Sequence, residues 1–371
     1  MLVPKLRFKE FKNEWKKIKL KDISTDISYG MNSASTEFDG INKYIRITDI
    51  DEETSLYSNN PVSPLGNLDD KFLVKENDIL FARTGASTGK SYLYSKVDGK
   101  LYFAGFLIRA NIQKDYNSRF IFEQTKLSKY NNWIKIMSIR SGQPGINSIE
   151  YGNYEFSITH FDEQNKIANL INLLNKKIEL QQRKIEDLKI YRRGLIKELF
   201  SFNTFYEKNL EDLCHITTGK LDANAMTING KYRFYTCAKE YYHINTYAFD
   251  TEALLISGNG AYVGYIHYYK GKFNAYQRTY VLDNFNENIF YIKYYLDTFL
   301  PQRILTERKE GNTPYIVLST LAKMPIIFPS IEIQNQIITT LSKFDIKLTL
   351  ENKKLDNLNI MKKSLLQQMF I

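Results

Sequence analysis

Cysteine is nearly absent: Cys214 and Cys237 are the only two in 371 residues, and no CxxC pair occurs. That excludes a disulfide framework, removes the usual thiolate zinc site and fits a reducing compartment. Histidine is almost as scarce, with His160, His215, His243 and His267 scattered singly, so no metal cluster and no histidine-based catalytic group is expected. None of the eight prolines is adjacent to another, and the (N/D)PP(Y/F) motif of amino-methyltransferases is therefore missing. No apolar run reaches the ~18 residues of a membrane span. The first residues, MLVPKLRFKEF, carry no apolar signal core. A cytoplasmic chain with no membrane association is expected.

An intact phosphate loop is lacking too. Gly85–Ala86–Ser87–Thr88–Gly89–Lys90–Ser91 puts three residues between its glycines, one too few for the nucleotide-binding pattern. A related loop, Gly258–Asn259–Gly260–Ala261–Tyr262–Val263–Gly264, keeps the spaced glycines but has neither Lys nor Ser/Thr at its end. Shared glycines with unshared chemistry point to tight strand-to-strand turns in which Gly supplies a positive φ. Glu307–Arg308–Lys309 has the form E-x-K, with Asp297 upstream, but lacks the Pro-Asp context of many nucleases. The chain is expected to be no enzyme. The rival reading, a nuclease or nucleotide-dependent enzyme with a coiled-coil dimerisation arm, needs a phosphate loop or carboxylate cluster that the sequence does not offer.

What is present is tyrosine (27), phenylalanine (23), a net charge of +10 and a repeat. The charge suits a polyanionic partner. Residues 162–200 return 170 positions later as 332–370 without a gap, and ten of the 39 aligned positions are identical, among them Gln164/Gln334, Leu188/Leu358 and Phe200/Phe370. In the first copy Ile171, Leu174, Ile178, Gln181, Ile185, Leu188, Arg192, Leu195 and Leu199 step by three and four, the seam spacing of a coiled coil. The second copy repeats that seam from Leu341 to Met369, with Glu351 and Lys362 in the slots of Gln181 and Arg192. Each helix would run roughly 58 Å at ~1.5 Å per residue, too long to stand without a partner, and the other copy is the obvious one. The expected pairing is antiparallel and intramolecular, with Arg192 beside Glu351 and Lys362 beside Gln181.

A mixed globular part precedes each helix. In the first, 43–49, 78–83 and 102–112 read as strands and 118–137 as a helix. In the second, 231–237, 253–257, 261–269 and 274–282 read as strands, and 288–300 as a helix stopped near Pro301. Leu20–Lys21–Asp22–Ile23 and Leu210–Glu211–Asp212–Leu213 are cognate starts of the two heads. The polar loops have the composition of nucleic-acid readers, since Arg can bond guanine, Asn or Gln adenine, and Ser or Thr a phosphate. In the first head the candidates are Arg83, Thr84, Ser87, Thr88, Lys90, Arg140, Ser141 and Gln143. In the second they are Ser257, Asn259, Tyr262, Arg308, Lys309, Asn312 and Thr313.

With these features the chain resembles the specificity (S) subunit of type I restriction-modification systems, over essentially its whole length. The most specific match is the start of each long helix, which in that family reads as a proline, a short gap, then E-Q-x-x-I. Here it is Pro329–Ser330–Ile331–Glu332–Ile333–Gln334–Asn335–Gln336–Ile337. The first copy has Glu163–Gln164–Asn165–Lys166–Ile167, with Thr159 where the second has Pro329. The resemblance implies an α+β fold of two mixed α/β target-recognition domains, 1–158 and 201–328. A central long spacer helix, 159–200, and a C-terminal one, 329–371, would pair as an antiparallel coiled coil with internal pseudo-two-fold symmetry. It implies a DNA-binding specificity subunit, each head reading one half of a bipartite site in double-stranded DNA. The helices would set the spacer and dock two modification subunits that carry S-adenosylmethionine and methylate adenine. Restriction subunits using ATP and magnesium would join them, and this chain itself would bind no cofactor and no metal.

Overall fold

The computed structural model describes residues 2–58, 60–138, 145–203, 205–307 and 315–371. It divides into two compact units, Met1–Gln182 with Lys353–Ile371, and Arg183–Asn352. Each unit therefore combines one head with the beginning of one long helix and the end of the other.

In the first unit an antiparallel sheet has the strand order Ser24–Tyr29, Leu107–Ile112, Asp78–Ala82, Ser91–Leu93. Asp78–Ala82 is buried at every position because both faces of the sheet are covered. Strand alternation sends Ile79 and Phe81 into the core shared with helices Ser118–Gln124 and Ser128–Ser138, while Leu80 and Ala82 enter a second cluster around Ile45 and Phe103. The second unit repeats the plan around a six-stranded sheet in the order His215–Thr218, Thr279–Asp283, Phe249–Ser257, Ile266–Ala275, Tyr232–Tyr235, Tyr242–Ile244. Leu254 and Ile256 face helix Ile289–Glu307, and Ala253 and Leu255 face the other way. Beside each sheet a short antiparallel ladder closes the base of the head, Lys16–Lys19 on Glu155–Ile158 and Tyr206–Asn209 on Pro325–Phe328. The cognate starts are superposable in their bonding: Leu20 N–H donates to Tyr154 O at 3.0 Å and Leu210 N–H to Met324 O at 2.9 Å.

Several sequence expectations are corrected: 43–49 is a strand only over Lys43–Ile45, and 118–137 is two helices, Ser118–Gln124 and Ser128–Ser138. The run 102–112 is two strands, Leu101–Phe103 and Leu107–Ile112, separated by a turn at Gly105–Phe106. The run 261–269 becomes a strand only from Ile266, because the glycine turn precedes it. The second head helix continues through Pro301 to Glu307. Pro301 is exposed, so its missing donor and ring face solvent, while buried Leu300 and Ile304 hold the helix on the sheet.

The long helices are Phe161–Leu199 and Ile331–Met369, of 39 residues each. The shared glutamine of their first turn is a clamp: Gln164 Nε2 donates to Thr159 O at 2.7 Å, and Gln334 Nε2 to Pro329 O at 3.0 Å. Around it the copies differ as matched pairs. Thr159 hydrogen-bonds Glu163, which also takes the Arg7 guanidinium at 2.7 Å, whereas the second copy has apolar Pro329 and Ile333. The shared last phenylalanine is explained as well. Phe370 stacks on Phe120 at 5.0 Å and meets Trp15 in the first unit, while Phe200 packs on Tyr291, Tyr295 and Phe299 in the second. Among the described residues no helix is long and apolar enough to cross a membrane.

Within each unit the helical segments run antiparallel, and no residue of either seam is exposed. The register is corrected by about one heptad. Arg192 Nε meets Asp345 at 3.1 Å, the Tyr191 and Phe344 rings lie 5.5 Å apart, and Glu351 takes Lys184 at 3.0 Å instead of Arg192. A seam that repeats every seven residues cannot tell one heptad from the next. The choice falls to flanking charges: this slip gives Arg192 and Glu351 each an opposite charge from a residue outside the seam. Lys362 likewise lies level with Asn175, and both act on the buried carboxyl of Glu123, whose pKa burial pushes up and Lys362 pulls down. In the second unit the matching positions hold Arg192 and Asp345 against Lys293 and Asp297. Burial again raises the Asp297 pKa, and Lys293, at 2.6 Å, and Arg192 oppose the rise. The slot that holds Arg192 and Lys362 thus binds helix to head, while Glu351 in the other slot pairs helix with helix.

Two measurements check this packing. A double-mutant cycle on Arg192→Met and Asp345→Asn, followed by urea unfolding, should give a coupling of about 0.3–1 kcal/mol for this partly exposed pair. The same cycle on Arg192 and Glu351 should give none. Lys126, beside Glu123, donates to Ser91 Oγ at 2.9 Å, and burial depresses its pKa to about 8. The unfolded chain, with an ordinary lysine near ~10.4, binds more protons between those values, so stability rises with pH across that window. The stability of wild type relative to Lys126→Met should therefore increase from pH ~8 to ~10.4, read as the difference in Tm.

Candidate nucleic-acid interface

In each head the strand that ends the buried centre of the sheet runs into a glycine turn, and the same three hydrogen bonds and one bridge hold both turns. Gly89 N–H donates to Ala82 O at 3.0 Å and Gly264 N–H to Ser257 O at 2.8 Å. Ile146 N–H donates to Arg83 O at 2.9 Å and Ile316 N–H to Gly258 O at 2.7 Å. Arg83 N–H donates to Phe106 O at 3.1 Å and Gly258 N–H to Arg278 O at 2.9 Å. Bridges join Thr84 to Gly145 and Asn259 to Tyr315. Three chain segments therefore converge at Arg83–Thr84 and again at Gly258–Asn259.

The glycines are dictated by geometry. Gly85 and Gly89 have φ of 72° and 94°, Gly260 and Gly264 of 81° and 82°. A Cβ on Gly89 would lie 2.8 Å from Ile134, and one on Gly264 2.7 Å from Ile304, the matching residue of the other head helix. This packing accounts for a shared spacing without shared chemistry. It also excludes a phosphate cradle, because the Thr88, Gly89 and Lys90 amides are spent on Gly85 O, Ala82 O and Ser87 O. Among the described residues no group of three His, Cys, Asp or Glu is placed to hold a metal ion.

The candidates fare unequally. Arg83 lies half-buried with its guanidinium 4.8 Å above the Tyr29 ring. Burial works to raise the Tyr29 pKa, but the Ser148 amide and the Arg83 charge leave its hydroxyl below the ordinary value. Thr84, Ser87 and Thr88 are half-buried on the turn, and Thr88 Oγ1 is committed to Gly85 O at 2.7 Å. Lys90 turns to exposed Glu52 at 3.5 Å. In the second head Asn259 is half-buried at the convergence, and Tyr262 is exposed with the Lys239 ammonium 5.2 Å over its ring. Ser257 is corrected: it is fully buried as the last residue of its strand, so its hydroxyl cannot be offered at the surface. Arg140, Ser141 and Gln143, and Arg308, Lys309, Asn312 and Thr313, lie outside the described residues.

Two further places join these surfaces and were missed in the sequence, the turn at Gly105–Phe106 and its counterpart at Gln277–Arg278. Both were hidden inside runs read as single strands. Gly105 in an otherwise apolar run is the signal that marks the first. Gly89→Ala should destabilise the first head by roughly 1–3 kcal/mol, since it adds left-handed strain to a collision with three Ile134 atoms. Gly264→Ala, which meets only the flexible end of Ile304, should cost less; chemical denaturation of the two variants gives the order.

Comparison with known proteins adds the following. The family described as "Type I restriction modification DNA specificity domain" matches residues 12–189 and 203–359. The chain is 41% identical over 122 residues to the type I restriction enzyme EcoDI specificity subunit of Escherichia coli, covering 33% of this chain and 27% of that one. It is 29% identical over 199 residues to a putative type I specificity subunit of Mycoplasma pneumoniae, covering 49% of this chain and 79% of that one. The fold is similar to the crystal structure of a type I restriction-modification S subunit from M. genitalium, at a TM-score of 0.68 and 18% identity over 100% of this chain and 99% of that one. A chain solved in work on complex assembly and conformational transition of the type I system matches at 0.59 and 14% identity, over 96% of this chain and 97% of that one.

Proposed function

The chain belongs to the type I restriction modification DNA specificity domain family, and we propose that it reads a two-part sequence in double-stranded DNA, one part with each head. The observation that carries this reading is the convergence described above. One backbone frame occurs twice, and the side chains set on it differ, Arg83 and Thr84 in one head against Gly258 and Asn259 in the other. A frame kept while its polar side chains change is what two readers of different sequences require. The net charge of +10 supplies the sequence-independent attraction to phosphate.

The rest of the assembly follows from the same premise. Two modification subunits dock on the repeated helices, which offer the same surface twice. They bring S-adenosylmethionine and methylate adenine; restriction subunits bring the use of ATP and magnesium. This chain contributes recognition without catalysis, and the assembly acts in the cytoplasm. The test is tritiated methyl transfer to DNA with and without the modification subunit. The isolated chain should transfer nothing and bind DNA weakly with a steep salt dependence, and the 2:1 complex should bind tightly and methylate. Methyl transfer by this chain alone would overturn the reading.

Spacing gives a second check. One heptad inserted into each long helix lengthens both by ~10.5 Å, about three base pairs at ~3.4 Å. Methylation mapping should then find the same two half-sites with a longer spacer.

A further inference from the structure

The turns at Gly105–Phe106 and Gln277–Arg278 are built alike and carry opposite chemistry. Each is fixed from two sides. On one side Gly30 N–H donates to Leu107 O and Gly219 N–H to Thr279 O, both at 3.2 Å. No side chain fits there: a Cβ on Gly30 would lie 2.2 Å from Ala104 O, and one on Gly219 1.9 Å from Ala275 O. On the other side the carbonyls of Phe106 and Arg278 accept from Arg83 and Gly258. The turn closes on itself as well, through Leu107 N–H to Ala104 O and Thr279 N–H to Tyr276 O, both at 2.8 Å. Backbone held this firmly presents its tip side chain in one place. The tip is Phe106 in the first head, 63% exposed, and exposed Arg278, preceded by exposed Gln277, in the second.

A single exposed phenylalanine is ordinary on a protein surface. Here it stands on a glycine-backed turn, against the segment that carries Arg83 and Thr84, where the other head puts an arginine. We propose that these tips are specificity-determining: Phe106 makes the apolar contact to a thymine methyl in the half-site of the first head, and Arg278 bonds a guanine through O6 and N7 in the half-site of the second. The chemistry decides the assignment. A phenyl ring has no donor for phosphate and can gain only from the methyl or from a base step. An exposed guanidinium on a rigid turn offers two parallel N–H donors, the pattern that matches O6 and N7 of a guanine edge. The proposal rests on the reading of this chain as a DNA specificity subunit.

The experiment selects duplexes from a random-sequence library with the full chain assembled with its modification subunit. It compares wild type with Phe106→Ala, Arg278→Ala and Arg278→Lys. Chosen sites are then rebuilt with uracil for single thymines and 7-deazaguanine for single guanines. Wild type should lose roughly 3- to 10-fold in affinity at one uracil position of one half-site, and Phe106→Ala should be indifferent to it. It should lose roughly 5- to 100-fold at one 7-deazaguanine position of the other half-site, to which both Arg278 variants should be indifferent. Arg278→Lys keeps the charge, so its loss of base preference at unchanged affinity for random DNA separates a reader from a phosphate clamp. An equal loss on every sequence, or unchanged preferences in all three variants, overturns the proposal and leaves the DNA reading intact. A wild-type complex that enriches no sequence removes that reading and the proposal with it.

Discussion

A basic side chain in the same slot of each helical seam, Arg192 in one and Lys362 in the other, is the interaction on which the fold depends. A polar residue at such a position costs packing, and two in corresponding slots of both copies would be an odd coincidence if they served the helix pair alone. They bind the helices to the heads. Lys362 acts on buried Glu123 in one unit, and Arg192 meets Asp345 and acts on half-buried Asp297 in the other. Removing Lys362 would leave Glu123 to Arg119 and Lys126, and removing Arg192 would leave Asp297 to Lys293, so each loss weakens the compensation of a carboxyl that burial disfavours as an anion. The seam is therefore held in register by what lies beside it.

The same slots show how duplication and divergence coexist. Four positions in the first unit hold Glu123, Leu127, Asn175 and Lys362; their counterparts are Lys293, Asp297, Asp345 and Arg192. The charges have been rearranged, yet each group keeps its cations and carboxylates together. The glycine turns behave likewise: backbone, φ values and the isoleucine beneath are kept, while the outward side chains differ. Constraint acts on the frame, and the surface varies upon it.

How much of this was legible in the sequence divides along the same line. The long helices were readable because one seam spacing runs through 39 residues, and Gln164 and Phe200 could be marked as meaningful before their contacts were known. Their antiparallel sense was expected from the matching polar slots, although those slots do not meet. The register was not readable, because a heptad pattern is unchanged by a slip of seven and the deciding partners, Asp345 and Lys184, lie outside it. In the heads, Ser257 stood both as the last residue of a strand and as a loop candidate; the strand reading holds, and it buries the side chain. Phe106 and Arg278 were overlooked because aromatic and β-branched neighbours on both sides disguise a tight turn as continuous strand, although Gly105 marks the first turn.

The central claim is that one duplicated frame carries two independent readers. Replacing residues 1–150 with a diverged head from another specificity subunit, and mapping methylated adenines in the resulting complex, tests it most directly. The account predicts a new sequence in one half-site, with the other half-site and the spacer unchanged. A change in both half-sites, or in neither, would contradict it.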